Sequence, residues 1–116
     1  MITLVLATVM AIHPIEHCKG ASKTSEVNEC GQKYLAESEA YLNSTYKRVL
    51  SGLSPTERSE LVQAQRSWIQ YRQHSCIFEQ HFTAGEGTMG TQIYLGCMYG
   101  MADERAEALA SFLKRP

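Results

Sequence analysis

Apolar residues recur every three or four positions over three long stretches of this chain, the spacing that gathers side chains on one side of an α-helix. In the first, from about Thr24 to Leu53, Val27, Cys30, Tyr34, Tyr41, Thr45 and Val49 form a stripe that Leu42 and Tyr46 widen. Ser51-Gly52-Leu53 ends it. The second opens on Ser54-Pro55-Thr56-Glu57 and runs without a breaker to about Phe82. A serine N-cap, a proline at the first helical position and a glutamate at the third make a capping box. The third covers about Thr91 to Lys114, with Ile93, Cys97, Met101, Arg105, Ala108 and Phe112 on one side. Gly96 and Gly100 weaken it and Asp103 could recap it, so a kink or break is expected near Gly100. No stretch beyond the ambiguous apolar start alternates with the period of a strand. The pattern predicts an all-α fold, a small bundle of three helices, or four if the third divides. Its expected core is Tyr34, Tyr41, Leu42, Val49, Leu61, Trp68, Ile93, Leu109 and Phe112.

The second helix carries polar residues on the stripe it should bury. Leu61, Gln65, Trp68 and Arg72 follow at spacings of four, three and four, so burying the single tryptophan takes a glutamine and an arginine inside. A buried guanidinium needs an acid and uses for its donors. Glu37, Glu39 and Asn43 on the first helix and Glu79 on the second are the candidate partners, with Trp68 packing over the arginine stem. The alternative is that Arg72 lies at the helix edge and reaches water.

Length and composition add limits rather than an activity. The chain has 116 residues, enough for one domain, with 11 Lys and Arg against 12 Asp and Glu for a net charge of −1. A phosphate-tracking surface needs an excess of basic residues, so nucleic acid is not an expected partner. Residues 1–11, MITLVLATVMA, are apolar but too short to span a bilayer, for which about 20 residues are needed. They read as the apolar part of a secretory signal with Val9 and Ala11 before the cut, followed by an extension over residues 12–23 and a helical domain over residues 24–116. Cys18, Cys30, Cys76 and Cys97 are then expected as two disulfides of an oxidising compartment. Three connectivities are open, and the sequence-local one, Cys18–Cys30 with Cys76–Cys97, is preferred. The second bond would close a loop worth roughly 3 kcal/mol in the chain-entropy account.

The run LVQAQRSWIQYRQHSC, a glycine-rich loop, a further cysteine and then ERAEAL together resemble the LprI-type lysozyme-inhibitor family of secreted bacterial proteins. AYLNSTYKRVL resembles the family's segment on the preceding helix, and the early cysteine pair fits as well. The most specific part is Gln65, Trp68, Arg72 and Cys76 combined with Cys97 and Arg105. The resemblance spans roughly Cys18 to Leu113. It implies a secreted or periplasmic helical domain that binds a protein, with a lysozyme-type cell-wall hydrolase as target. Cys18 follows Ile-Glu-His rather than the small residues of a lipidation site, so a soluble product is expected. The motif residues read as scaffold.

GEGTMG at residues 85–90 matches a dinucleotide fingerprint in letters, but that motif must follow a strand and open a helix. Here it is a connection between helices, pinned at both sides by the expected Cys76–Cys97 bond, and Glu86, Thr88 and Met89 are the candidate partner-binding residues on it. His74 and His81 share a helix face, and His13, His17 and Cys18 cluster near the start. Zinc ligation is conceivable for such residues, but solvent-exposed histidines are the simpler reading, and no metal or cofactor is expected. His74 and Cys76 sit two apart on a helix and do not face each other, so no activated nucleophile is expected either. The expectation is a non-enzymatic binding protein that inhibits a hydrolase by occlusion, with Glu86 offered to its basic surface. The small net charge gives little long-range steering. The alternatives are an envelope structural or stress interaction module, or an immunity protein paired with an effector.

Overall fold

A computed structural model describes Cys18 and residues 23–85, 87 and 89–114. The signal-like segment, His13, His17, Glu86 and Thr88 lie outside the described residues. Three α-helices follow in order: α1 (Thr24–Ser51), α2 (Pro55–Ala84) and α3 (Gly90–Ala110), with a short 3-10 turn over Ser111–Lys114. No strand occurs among the described residues.

The start of α2 is built as its sequence predicts. Ser54 Oγ accepts from the backbone N–H of Glu57 at 3.2 Å, and Ser54 N–H donates to the Glu57 carboxylate at 3.0 Å. Two backbone donors that a helix start leaves unpaired are thereby satisfied. At the other end α2 stops on Gly85, whose φ of 58° is open to a residue without a Cβ. α3 differs from expectation, because it runs unbroken through Gly96 and Gly100. A helical glycine costs about 1 kcal/mol, which packing along the rest of the helix offsets.

α3 is the central rod, packing along both α1 and α2. Towards α1 the contact is apolar and close. Leu42 and Val49 of α1 meet Ala102, Ala106 and Leu109 of α3, all buried. Alanines let the two backbones approach, and Gly31 does the same further up, where a Cβ would come within 3.2 Å of Leu95. The buried line of α1 is Gly31, Tyr34, Ser38, Leu42, Thr45 and Val49, an unbroken succession of threes and fours. Tyr41, expected inside, is 49% exposed. It loses its place because Ser38 and Leu42 occupy the seam.

Phe112 is also 49% exposed rather than in the core. The tighter 3-10 turn after Ala110 rotates it away from the α3 stripe. It lines instead an open cleft of about 350 Å³ with Arg48, Val49, Gly52, Leu53 and Glu57. Leu61, Trp68 and Ile93 are half-buried, whereas Tyr34, Leu42, Val49 and Leu109 are buried as expected.

Candidate functional site

The interior face of α2 buries Gln65, Arg72 and Cys76, none of them an aliphatic residue. Arg72 Nη1 pairs with the carboxylate of Glu39 on α1 and lies 3.4 Å from the backbone carbonyl oxygen of Met98 on α3. One side chain of α2 thus ties to both other helices. Glu39 is one of the four candidate partners. The guanidinium sits 4.8 Å from the centroid of Trp68, and that of Arg105 sits 5.9 Å from it. Both distances are within reach of the ring's negative face. Arg105 Nε donates to Gln65 Oε1 at 2.9 Å. Burial lowers the pKa of Arg105 from its ordinary value, a shift in the direction expected for a cation taken from water. Arg72 Nε has no hydrogen-bond partner among the described residues.

Below this cluster sit the sulfurs. Cys76–Cys97 joins α2 to α3 and Cys18–Cys30 ties the segment before α1 to that helix, each with Cα atoms 5.5 Å apart. No cysteine is free. The thioether of Met101 touches both sulfurs of the first pair, at 3.8 Å and 4.0 Å.

A second polar cluster was not anticipated. Tyr34 OH donates to Asp103 at 3.0 Å, and Tyr99 packs edge-on against Tyr34 with centroids 4.6 Å apart. Burial first, and the Asp103 charge second, push the Tyr34 pKa up to about 12. The same two causes raise that of Tyr99. The recapping role expected of Asp103 does not occur, since α3 continues through it. Its carboxylate serves α1 instead.

The cysteines are all oxidised, the phenols hold their protons more tightly than usual, and no group of three metal-ligating side chains occurs among the described residues. The glycine-rich connection lies between two helices, without the strand that a dinucleotide site needs. His74 and His81 are exposed.

What the molecule presents to solvent is apolar at one end. Tyr71, Phe78 and Phe82 on α2 are 63%, 66% and 79% exposed, and Met89 in the following loop is 56% exposed. Phe78 and Phe82 stack with centroids 5.6 Å apart. Of this group only Met89 was a candidate from the loop reading. The periodicity of the interior stripe does not reveal the aromatic trio, which stands outside it. Its signal was present, though, in spacings of seven and four that put three aromatics on one non-interior side.

A family model described as "Lysozyme inhibitor LprI" matches residues 16–109. The chain belongs to that family, as the Gln65, Trp68, Arg72, Cys76, Cys97 and Arg105 pattern suggests. Disulfides in a small domain fit an extracytoplasmic protein, and no described helix is long and apolar enough to cross a membrane. An uncharacterized protein of Rhizobium meliloti is 26% identical over 121 residues, spanning 93% of this chain and 86% of that protein. No solved structure matches the chain.

Proposed function

We propose that this is a secreted or periplasmic binding protein that inhibits a lysozyme-type cell-wall hydrolase by occlusion, without chemistry of its own. One observation carries the reading beyond family membership. Apolar side chains are left uncovered where α2 ends, beside a loop whose two flanking helices are fastened by Cys76–Cys97. Exposed apolar patches on small domains commonly mark interaction sites, and a loop on a fixed base is a favourable place for one. Glu86, Thr88 and Met89 are the proposed contact residues of that loop. Holding the loop's ends lowers the entropy lost on binding.

The test is cell-wall lysis by several lysozymes with and without the purified protein. Loss of lytic rate as the protein is titrated in supports inhibition. Undiminished lysis at micromolar excess removes it and leaves the envelope-module and immunity-protein readings. Capture of a non-hydrolase partner from envelope extracts then separates those two.

A further inference from the structure

The exposed side of α2 changes character halfway along. Its first half is charged, with Glu57, Arg58, Glu60 and Arg66 all exposed. From Ser67 to Phe82 the formal charges are Arg72, which is buried, and Glu79, which a helix places about 100° round from Phe78. Among the residues this half exposes, Tyr71, Phe78 and Phe82 share one side, with His74 and His81 adjoining it and Ile69 and Ile77 also partly uncovered. Resting on the inhibitor reading above, we infer that this aromatic ridge, rather than the glycine loop, is the part that enters the target. The occupant it fits is the sugar-binding cleft of a cell-wall hydrolase, from which it excludes the glycan.

Shape, area and charge together select that partner. Anchors at i, i+7 and i+11 on one helix form a convex line, the form that seats in a concave groove. Taking about 200 Å² per ring, the three side chains offer roughly 400 Å² of exposed aromatic surface. That is about half of the roughly 800 Å² per side that a stable interface buries, and two convex ridges meet poorly, so a second copy of this chain is the weaker fit. As the central anchor of a cleft contact, with the loop at its rim, the same area suffices. A glycosidase cleft presents two carboxylates beside the scissile bond. The ridge faces them with imidazole N–H donors and aromatic edges, and its one nearby carboxylate is turned aside. Attraction of this kind depends little on ionic strength, in contrast to a contact between Glu86 and a basic outer surface.

The experiment measures binding of the full chain to an unaltered lysozyme that it inhibits, over a time short against hydrolysis of the competitor. The probe competitor is the trimer of N-acetylglucosamine. Saturating trimer is expected to raise the apparent Kd, and the F78S/F82S double variant to weaken binding roughly tenfold or more. Melting of that variant should match the unaltered protein, since both positions are exposed, and a Met89→Ser variant should lose less. Full affinity in F78S/F82S, or binding indifferent to the trimer, overturns the ridge assignment while leaving inhibition standing. Trimer bound by the protein alone overturns it in favour of a glycan-binding face. No lysozyme bound by the unaltered chain overturns the inhibitor reading and this one with it.

Discussion

The side of α3 that meets α1 is made of Ala102, Ala106 and Leu109 against Leu42 and Val49, whereas the side that meets α2 is made of Cys97, Met101 and Arg105 against Cys76, Trp68 and Gln65. The first is held by close apolar packing, the second by a covalent bond, a paired arginine and an indole between cations. A 30-residue helix such as α2 has a buried face with no aliphatic side chain that is fully covered. It therefore cannot be retained by burial of hydrocarbon alone, and directional contacts do the holding. Directional contacts fix register as well as proximity.

Substitutions should separate the two seams by size and by reach. Leu109 is fully buried in the apolar seam, so Leu109→Ala should cost about 3–4 kcal/mol in urea unfolding and loosen the molecule as a whole. Replacing both Cys76 and Cys97 by serine opens a bond spanning 21 residues. The expected cost is roughly 3 kcal/mol. Amide exchange should quicken chiefly over the last turns of α2 and the first of α3. Protection equal to that of the intact protein at those amides would show that the polar cluster alone suffices.

Arg72→Ala strands Glu39, which is about one-third exposed. Water recovers part of that loss, so about 2–3 kcal/mol is expected, below the usual range for a buried pair. Arg72→Lys keeps the charge without the planar fork and should fall between the two proteins. A lysine variant as stable as the parent would mean that the Met98 and Trp68 contacts contribute nothing.

Tyr34 supplies a pH test of the α1 seam. Its ordinary pKa of 10.0 is raised in the folded protein to about 12. Below the lower value both states hold the phenolic proton and its contribution is intact. Between the two the unfolded chain has lost the proton that the folded protein keeps, so stability falls as pH rises through that window. The loss should approach about 2–3 kcal/mol, and Tyr34→Phe should abolish that part of the slope. The smallest effect belongs to the ridge. Phe78→Ser alone should shift stability by less than about 0.5 kcal/mol, and a larger loss would place that ring in the fold rather than at a partner.

Much of the frame was legible because it is local. Ser54, Pro55 and Glu57 state where α2 begins through bonds that span three residues. The even cysteine count pointed to two disulfides, and of the three connectivities it left open the preferred sequence-local one is found. The single stripe expected on α3 accounts for half of its packing. The stripe Cys97, Met101 and Arg105 does turn inward, but towards α2, and a second stripe through Leu95, Ala102, Ala106 and Leu109 turns towards α1. Periodicity finds one apolar face, and a rod with neighbours on two sides has two. Tyr41 was misplaced for a related reason, since hydrophobicity favours a tyrosine over Ser38 while close helix approach favours the serine. Phe112 went astray through a change of helix type that no propensity signals.

By itself the sequence determined three helices, the cap that starts α2, and cysteines paired as disulfides. Each of these follows from neighbours along the chain or from the cysteine count. Only the tertiary structure decided that Glu39 pairs with Arg72, that α3 lies in the middle, that Asp103 serves Tyr34, and that Tyr71, Phe78 and Phe82 remain uncovered. Those outcomes depend on how helices rotate about their own axes when packed, and that rotation is set by contacts between residues up to 69 positions apart.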